Sequence, residues 1–282
     1  MEDYYKVDRL SFSKLFLLKD TAKHYTWLKD NKENTKAMIF GNVVHTMVLE
    51  PEEFENRYIL QSDILVPTLV KKKKPTKKEL KDNPGLQDWY ELEEFEDIPL
   101  NNKLKAHKLW MEDYKGKIII SEKDLIQAKA MRLSIMENFE SSILINNAET
   151  EKEYFYEFEG IPMKSKVDIV GENYLADLKT IQAGKLANPR QLYWHIVNMG
   201  YDIQAALYCY ASGRTINEYH LLFVEKDAPY STRIITLHKQ DLDYGWNKFL
   251  RLIDKYRAYQ DGSLDKNTDY RSLSFSDMID YE

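Results

Sequence analysis

Along the first fifty residues of the chain, apolar positions recur at helical spacing. Residues 11–18 predict a helix with Ser11 as its N-cap. Residues 37–49 predict an apolar helix that carries Gly41 and His45 and ends before Pro51. The polar run 30–36 connects the two, and 52–58 form a short acidic-aromatic segment. The pattern then weakens. Residues 66–101 hold Pro67, Pro75, Pro84 and Pro99, a lysine run at 71–74 and an acidic stretch at 91–97, and read as an extended loop or an inserted subdomain. Helical spacing returns at 104–114, at 125–137 behind the capping sequence Ser121-Glu122-Lys123-Asp124, and at 139–145, with a short strand at 118–120.

From residue 151 the period changes to two. Residues 151–159 and 163–170 predict strands joined through Gly160-Ile161-Pro162. A helix ends at Ser212 and starts near either Gln191 or Tyr201; strands follow at 220–224 and 233–237, then a long helix at 240–261 and a polar tail. There is no internal repeat. This order predicts an α/β fold of the mixed α+β kind, a central mixed sheet flanked by helices.

The stretch 168–179 is the most pointed part of the pattern. Val167, Ile169, Val170, Leu175 and Leu178 flank a Gly-Glu-Asn turn signal, which predicts a hairpin with Glu172-Asn173 as its two-residue loop. In that register Gly171 pairs with Tyr174, Val170 with Leu175, Ile169 with Ala176, and Asp168 faces Asp177. Asp168, Asp177 and Lys179 then share a face. Like charges directly opposed destabilise a sheet, so a cation between the carboxylates is expected, and a divalent metal held by oxygen ligands is the natural candidate. The bland alternative is a solvated strand face with an incidental salt bridge, although the apolar setting of Asp177 and Lys179 weighs against it.

Composition narrows the class. With 282 residues, 43% hydrophobic and 13% aromatic, the chain is long and apolar enough to fold around a substantial core. A net charge of −6 argues against a generic polyanion binder, so any nucleic-acid contact must come from local basic patches. Lone Cys209 excludes an internal disulfide and an all-cysteine metal or iron–sulfur site, and fits a reducing cytoplasm. The start, Met1-Glu2-Asp3, lacks a signal-peptide pattern, and no apolar run is long enough to span a bilayer, so no membrane partner is expected.

Other residues become candidates only by association. His45 on its apolar helix is by itself more often a core histidine than a ligand, and gains meaning only if that helix packs beside the hairpin. Gly41, one turn earlier, would permit a close approach of backbone or ligand. Gln204 and Tyr208 share a helix face and could touch a phosphate or the lysine. Glu153, on the preceding strand, could add a carboxylate, although a solvent-facing glutamate is commoner. Lys164, Lys166, Lys185 and Arg190 flank the hairpin and are the better candidates for DNA contact; the lysine run 71–74 is more often a solvated surface.

Together these residues resemble the PD-(D/E)xK nuclease superfamily. Gly41-x-x-x-His45 resembles the helical motif of its RecB-type members, Asp168 followed by Asp177-Leu178-Lys179-Thr180 the core motif, and Gln204-x-x-x-Tyr208 the helical motif after it. The sequence around them, 37–54 and 200–208, is similar to the phage and prophage RecE (exonuclease VIII) type, as are Leu10-Ser11-Phe12-Ser13 and Ala22-Lys23-His24-Tyr25. The usual proline before the first aspartate is replaced by Val167.

The resemblance implies a restriction-endonuclease-like fold over residues 1–265, as a single domain with a divergent insertion at about 66–101 and a tail at 266–282. It implies a 5′→3′ exonuclease acting on double-stranded DNA ends with Mg²⁺ or Mn²⁺, a homo-oligomeric ring, and a single-strand-annealing recombinase as partner. His45, Asp168 and Asp177 would be metal ligands with the Leu178 carbonyl, and Glu153 a weaker one. Lys179 would be the catalytic lysine, with Gln204 and Tyr208 in support. Two alternatives remain: a catalytically inactive DNA-binding or assembly protein on a nuclease scaffold, and a structure-specific endonuclease.

Overall fold

The computed structural model describes residue 4 and residues 6–31, 34–70, 75–84, 94–100 and 116–266. The lysine run at 71–74, the helix expected at 104–114 and the tail beyond 266 lie outside the described residues. In chain order the helices are α1 (Phe12–Leu15), α2 (Ala22–Asp30), α3 (Lys36–Leu49), α4 (Phe54–Arg57), α5 (Lys77–Asp82), α6 (Glu122–Glu137), α7 (Phe139–Asn146), α8 (Pro189–Met199), α9 (Tyr201–Ser212) and α10 (Lys239–Asp261). The strands are β1 (Tyr58–Leu60), β2 (Leu65–Val70), β3 (Glu94–Pro99), β4 (Ile118–Ile120), β5 (Glu149–Phe158), β6 (Ile161–Val170), β7 (Leu175–Ile181), β8 (Glu218–Glu225) and β9 (Thr232–His238). None of the helices is long and apolar enough to cross a membrane.

The chain divides into two compact units, residues 1–50 with 130–282, and residues 51–129. The larger unit holds a five-stranded sheet in the order β5-β6-β7-β8-β9. Every neighbouring pair is antiparallel except β7 with β8. Their parallel pairing requires a crossover, and α8 and α9 supply it.

Local sequence sets the helix boundaries. Ser11, Thr21 and Thr35 each cap a helix by accepting the backbone N–H three residues on. Asn188 caps α8, and Pro189 occupies its first turn, where a missing N–H costs nothing. Gly200, in the left-handed region at φ 67°, closes α8 and opens α9. The two start points open in the sequence therefore belong to two helices. A Cβ at Gly200 would also lie 2.4 Å from the Phe16 ring, so a side chain is excluded by space as well as by φ. Helix α2 is an addition to the sequence reading.

Among the described residues, two clusters of buried side chains hold the larger unit together. In one, Leu15, Leu18, Tyr25 and Met163 meet Ile203 and Leu207 of α9 and Phe249 of α10. In the other, Val167, Leu175, Ile181, Leu221 and Phe223 from the sheet meet Leu192, Ile196 and Ala205 from α8 and α9. Each fully buried large side chain contributes about 1.5–3 kcal/mol. Helices α9 and α10 touch backbone to side at Gly245, where a Cβ would fall 2.2 Å from the Asp202 carbonyl oxygen.

The smaller unit has its own sheet pairs. β1 runs parallel to β4, and β2 antiparallel to β3, around Ile64, Val66 and Leu100. The region read as an extended loop or an inserted subdomain, 66–101, contributes two strands and α5. Pro67 and Pro99 stand on paired strands because each strand of a two-stranded sheet keeps one side unpaired, where a missing N–H breaks no ladder.

Candidate active site

The hairpin forms with Val170 opposite Leu175 and Ile169 opposite Ala176, and the Gly171 N–H donates to the Tyr174 carbonyl at 3.0 Å. The β6–β7 ladder stops there. At the next step, where Asp168 and Asp177 would face each other, Asp168 Oδ2 instead accepts the Leu178 N–H at 2.9 Å. The strands part where two carboxylates would be opposed, and one carboxylate takes an amide that has lost its ladder partner. β7 meanwhile pairs with β8 from Leu175 to Ile181. Asp177 is only 1% exposed and ion-paired with Lys179, yet neither of its oxygens accepts a well-formed hydrogen bond among the described residues.

Helix α3 lies against β7 and brings His45 to this point. His45 Nδ1 stands 3.4 Å from Asp168 Oδ2. Burial, and next the Lys179 charge, lower its pKa to about 4, against a hydrogen bond to the Leu178 backbone and the charge of Asp177. The imidazole is therefore neutral near pH 7, with a lone pair to offer. Gly41, one turn earlier, meets nothing nearer than Thr180 Oγ1, 3.9 Å from a hypothetical Cβ. The protein's own packing does not demand glycine there.

The third member of the cluster is Glu151. The register places it opposite Asp168, between the pairs Thr150–Ile169 and Lys152–Val167, with the backbone at φ 54°. Ligand atoms of His45, Glu151 and Asp168 all lie within 4.8 Å of one another. Glu153, the acid singled out from sequence, pairs instead with Lys166 on β6 and stands outside this cluster. Alternation along β5 does not say which glutamate meets Asp168. Counting back from the tight turn at Glu159 and Gly160 does, because the β5–β6 register holds from Phe158–Ile161 to Glu149–Val170.

The site is crowded with negative charge. Lys166 Nζ lies 2.6 Å from Glu151 and 3.9 Å from Glu50, and Lys179 neutralises Asp177. Asp168, Glu151 and Asp177 thus crowd together beside Lys166 and Lys179, each acid pressing on the ionisation of the others. The carboxyl of Asp168 responds: burial first, then Asp177 and Glu151, hold its pKa well above the ordinary carboxylate range. Burial and the acids Glu50 and Asp177 also raise Glu151, despite Lys166. Burial alone would lower the pKa of Lys179, but Asp177 and Asp168 more than offset it.

A small divalent cation fits these residues. The donors are carboxylate oxygens and a neutral imidazole, a set that suits a divalent ion. Asp177, ion-paired with Lys179 but with no hydrogen bond to its buried oxygens among the described residues, stands beside the cluster.

Lys179 Nζ also lies over the Tyr201 ring, 4.7 Å from its centroid. Tyr201 opens α9, and the sequence reading passed over it; its position one turn before Gln204 and on the same face was the available signal. The Gln204 side-chain amide donates to the Tyr208 hydroxyl at 2.9 Å. Burial, with the charges of Asp177 and Asp168, raises the Tyr208 pKa well above 10. Both residues line a cavity of about 890 Å³ that Arg9, Ser11, Lys14 and Lys29 also line.

The four cations expected to contact DNA separate into two kinds. Lys164 is 4% exposed, and its ammonium donates to the Tyr4 and Val7 carbonyls at 2.6 and 2.8 Å. Lys166 is held by Glu151 and Glu50. These two are committed to the interior because alternate positions of β6 face inward in a sheet covered on that side. Lys185 and Arg190 line a separate surface pocket at the start of α8.

Comparison with known proteins agrees with this architecture. A crystal structure of a "putative exonuclease" from Eubacterium rectale is similar at a TM-score of 0.58 and 15% identity, covering 99% of this chain and 97% of that one. A phage-related exonuclease from Haemophilus somnus 129PT matches at a TM-score of 0.36 and 11% identity, over 57% of this chain and 85% of that one. The sequence has no match among curated proteins. The model of the PDDEXK-like domain of unknown function (DUF3799) matches residues 11–267, and this chain belongs to that family.

Proposed function

We propose that this chain is a divalent-metal-dependent deoxyribonuclease that degrades double-stranded DNA from its ends. The observation that carries the reading is the buried cluster of His45, Glu151 and Asp168 beside the Asp177–Lys179 pair. His45, Asp168 and Glu151 would hold Mg²⁺ or Mn²⁺, with Asp177 and the Leu178 carbonyl beside them. The chemistry such an ion supplies when bound is polarisation of the phosphate and acidification of a water.

The chain's own residues do the rest. Lys179, kept charged by its acidic neighbours, offers a fixed positive charge to a phosphate that gains charge in the transition state. The Tyr201 ring confines that ammonium. Gln204 and Tyr208 hold one another at the wall of the large cavity, which Arg9, Lys14 (paired with Asp8) and Lys29 also line, cations that could meet a phosphodiester backbone. Open space beside Gly41 leaves the approach to His45 clear of a side chain. Lys185 and Arg190 add cations that a chain of net charge −6 must supply locally.

The 5′→3′ direction and a role in phage-type recombination, beside a single-strand-annealing partner and in a homo-oligomer, rest on the likeness of residues 37–54 and 200–208 to the RecE type. The experiment is digestion of linear duplex labelled at either end, at low salt with Mg²⁺ or Mn²⁺, beside a closed circle. Loss of the 5′ label first, with the circle intact, is expected. Intact linear DNA, or an Asp177→Ala or Lys179→Ala variant as active as wild type, would sink the proposal.

A further inference from the structure

Helix α8 carries an exposed aromatic and cationic surface whose residues the catalytic site does not use. Trp194 is 42% exposed and Tyr193 54%, an unusual place for two large rings in succession. Their rings meet edge to face at 5.3 Å, which stiffens both. Trp194 lines a pocket of about 500 Å³ together with Lys185, Arg190, Gln191, His195 and Asn198. No carboxylate is among the described lining residues, in a chain where acids outnumber bases. Neither Lys185 nor Arg190 is engaged in an ion pair among the described residues. The Nε2 of His195 is buried without a hydrogen-bond partner among the described residues.

One ring links this pocket to the candidate active site. The His195 ring packs edge-on against Tyr201 at 5.7 Å, and the Lys179 ammonium lies 4.7 Å from the centroid of the same Tyr201 ring. Two ring contacts therefore link the catalytic lysine to the wall of the α8 pocket. A paired duplex hides its base faces, whereas an unpaired strand presents them beside its phosphates. An exposed indole flanked by two cations, an amide and an imidazole matches the unpaired form.

We propose that the α8 pocket holds single-stranded DNA, with a base stacked on Trp194 and the adjoining phosphates held by Lys185 and Arg190. The proposal rests on the nuclease reading for its substrate, and it assigns this face to the strand that cleavage or fraying leaves unpaired. Duplex DNA, the alternative occupant, is an outcome of the test.

Binding of a fluorescent twenty-nucleotide oligothymidylate, followed by anisotropy in EDTA, separates the proposal from cleavage. Trp194→Ala should weaken binding roughly tenfold, while Trp194→Phe retains most of it. Lys185→Ala with Arg190→Ala should flatten the plot of log affinity against log salt by about 1.4, the share of two single-strand phosphates. Trp194 is exposed, so its variants should melt as the wild type does. A wild-type chain that does not bind the oligonucleotide, or a Trp194→Ala chain that binds it as well as wild type, overturns the proposal. So does an equal loss on a blunt duplex of the same length. A chain that binds through Trp194 but cuts no DNA in Mg²⁺ or Mn²⁺ retains this proposal and removes the nuclease reading; one that cuts DNA with binding indifferent to Trp194 does the reverse.

Discussion

Two buried aspartate–lysine pairs lie in the larger unit, and they differ in what surrounds them. Asp177 pairs with Lys179 at the end of the hairpin, and Asp202 pairs with Lys248 at 2.7 Å where α9 meets α10. In both, the lysine lies over a tyrosine ring, Tyr201 for Lys179 and Tyr244 for Lys248. In both, a carboxylate oxygen is buried without a hydrogen bond among the described residues. The Asp202 pair is charge-balanced, and Asp202 lies in the first turn of α9, where the helix dipole favours a negative charge. The Asp177 pair has further carboxylates, Asp168 and Glu151, pressing on it. A buried ion pair by itself is therefore no mark of chemistry. A surplus of like charge that the fold tolerates is one.

The comparison can be broken at either end. At the hairpin, Asp168→Asn keeps an oxygen for the Leu178 N–H but removes a charge. DNA cleavage should fall by at least about a hundredfold. The melting temperature in EDTA should hold or rise, because a like-charge contact is relieved. A drop in stability on the scale of a core mutation would show that Asp168 serves the fold.

At the helix joint the pattern should invert. Asp202→Ala leaves Lys248 uncompensated, and should cost about 3 kcal/mol by denaturant titration, the low end for breaking a buried pair because Lys248 is one-fifth exposed. Specific activity of the folded fraction should stay near wild type. Metal sharpens the contrast further. At a hundred times its dissociation constant, Mn²⁺ should stabilise the wild-type chain by about 2.7 kcal/mol, and should do little for Asp168→Asn. Calorimetric melts with and without the ion check this, and an equal shift in both proteins would place the ion elsewhere. The last effect is steric. Gly245→Ala would push a methyl against the Asp202 carbonyl at 2.2 Å, and should cost about 1–3 kcal/mol with no change in metal response.

Local rules carried the reading of the hairpin. A two-residue loop fixes its register, and alternation fixes which side chains share a face, so Asp168, Asp177 and Lys179 could be grouped without coordinates. The same rules gave the caps at Ser11 and Ser121 and the long helix α10 within a residue. They failed where a choice depended on a distant partner. Lys164 and Lys166 look like DNA contacts beside the motif, but the carbonyls of Tyr4 and Val7 claim one and Glu151 and Glu50 the other. Glu153 and Glu151 share an alternation class, and only the register with β6 tells them apart.

The sequence by itself determined the order of most elements from residue 118 onward, the hairpin register and the grouping of Asp168 with Asp177, because each depends on neighbours a few residues away. Only the tertiary structure decided that His45, about 120 residues before Asp168, meets it at 3.4 Å. It also decided that the β6–β7 ladder ends just before Asp168, and that Glu151 faces that aspartate. Those outcomes follow from the packing of α3 against β7 and from repulsion between buried charges, neither of which a local pattern contains.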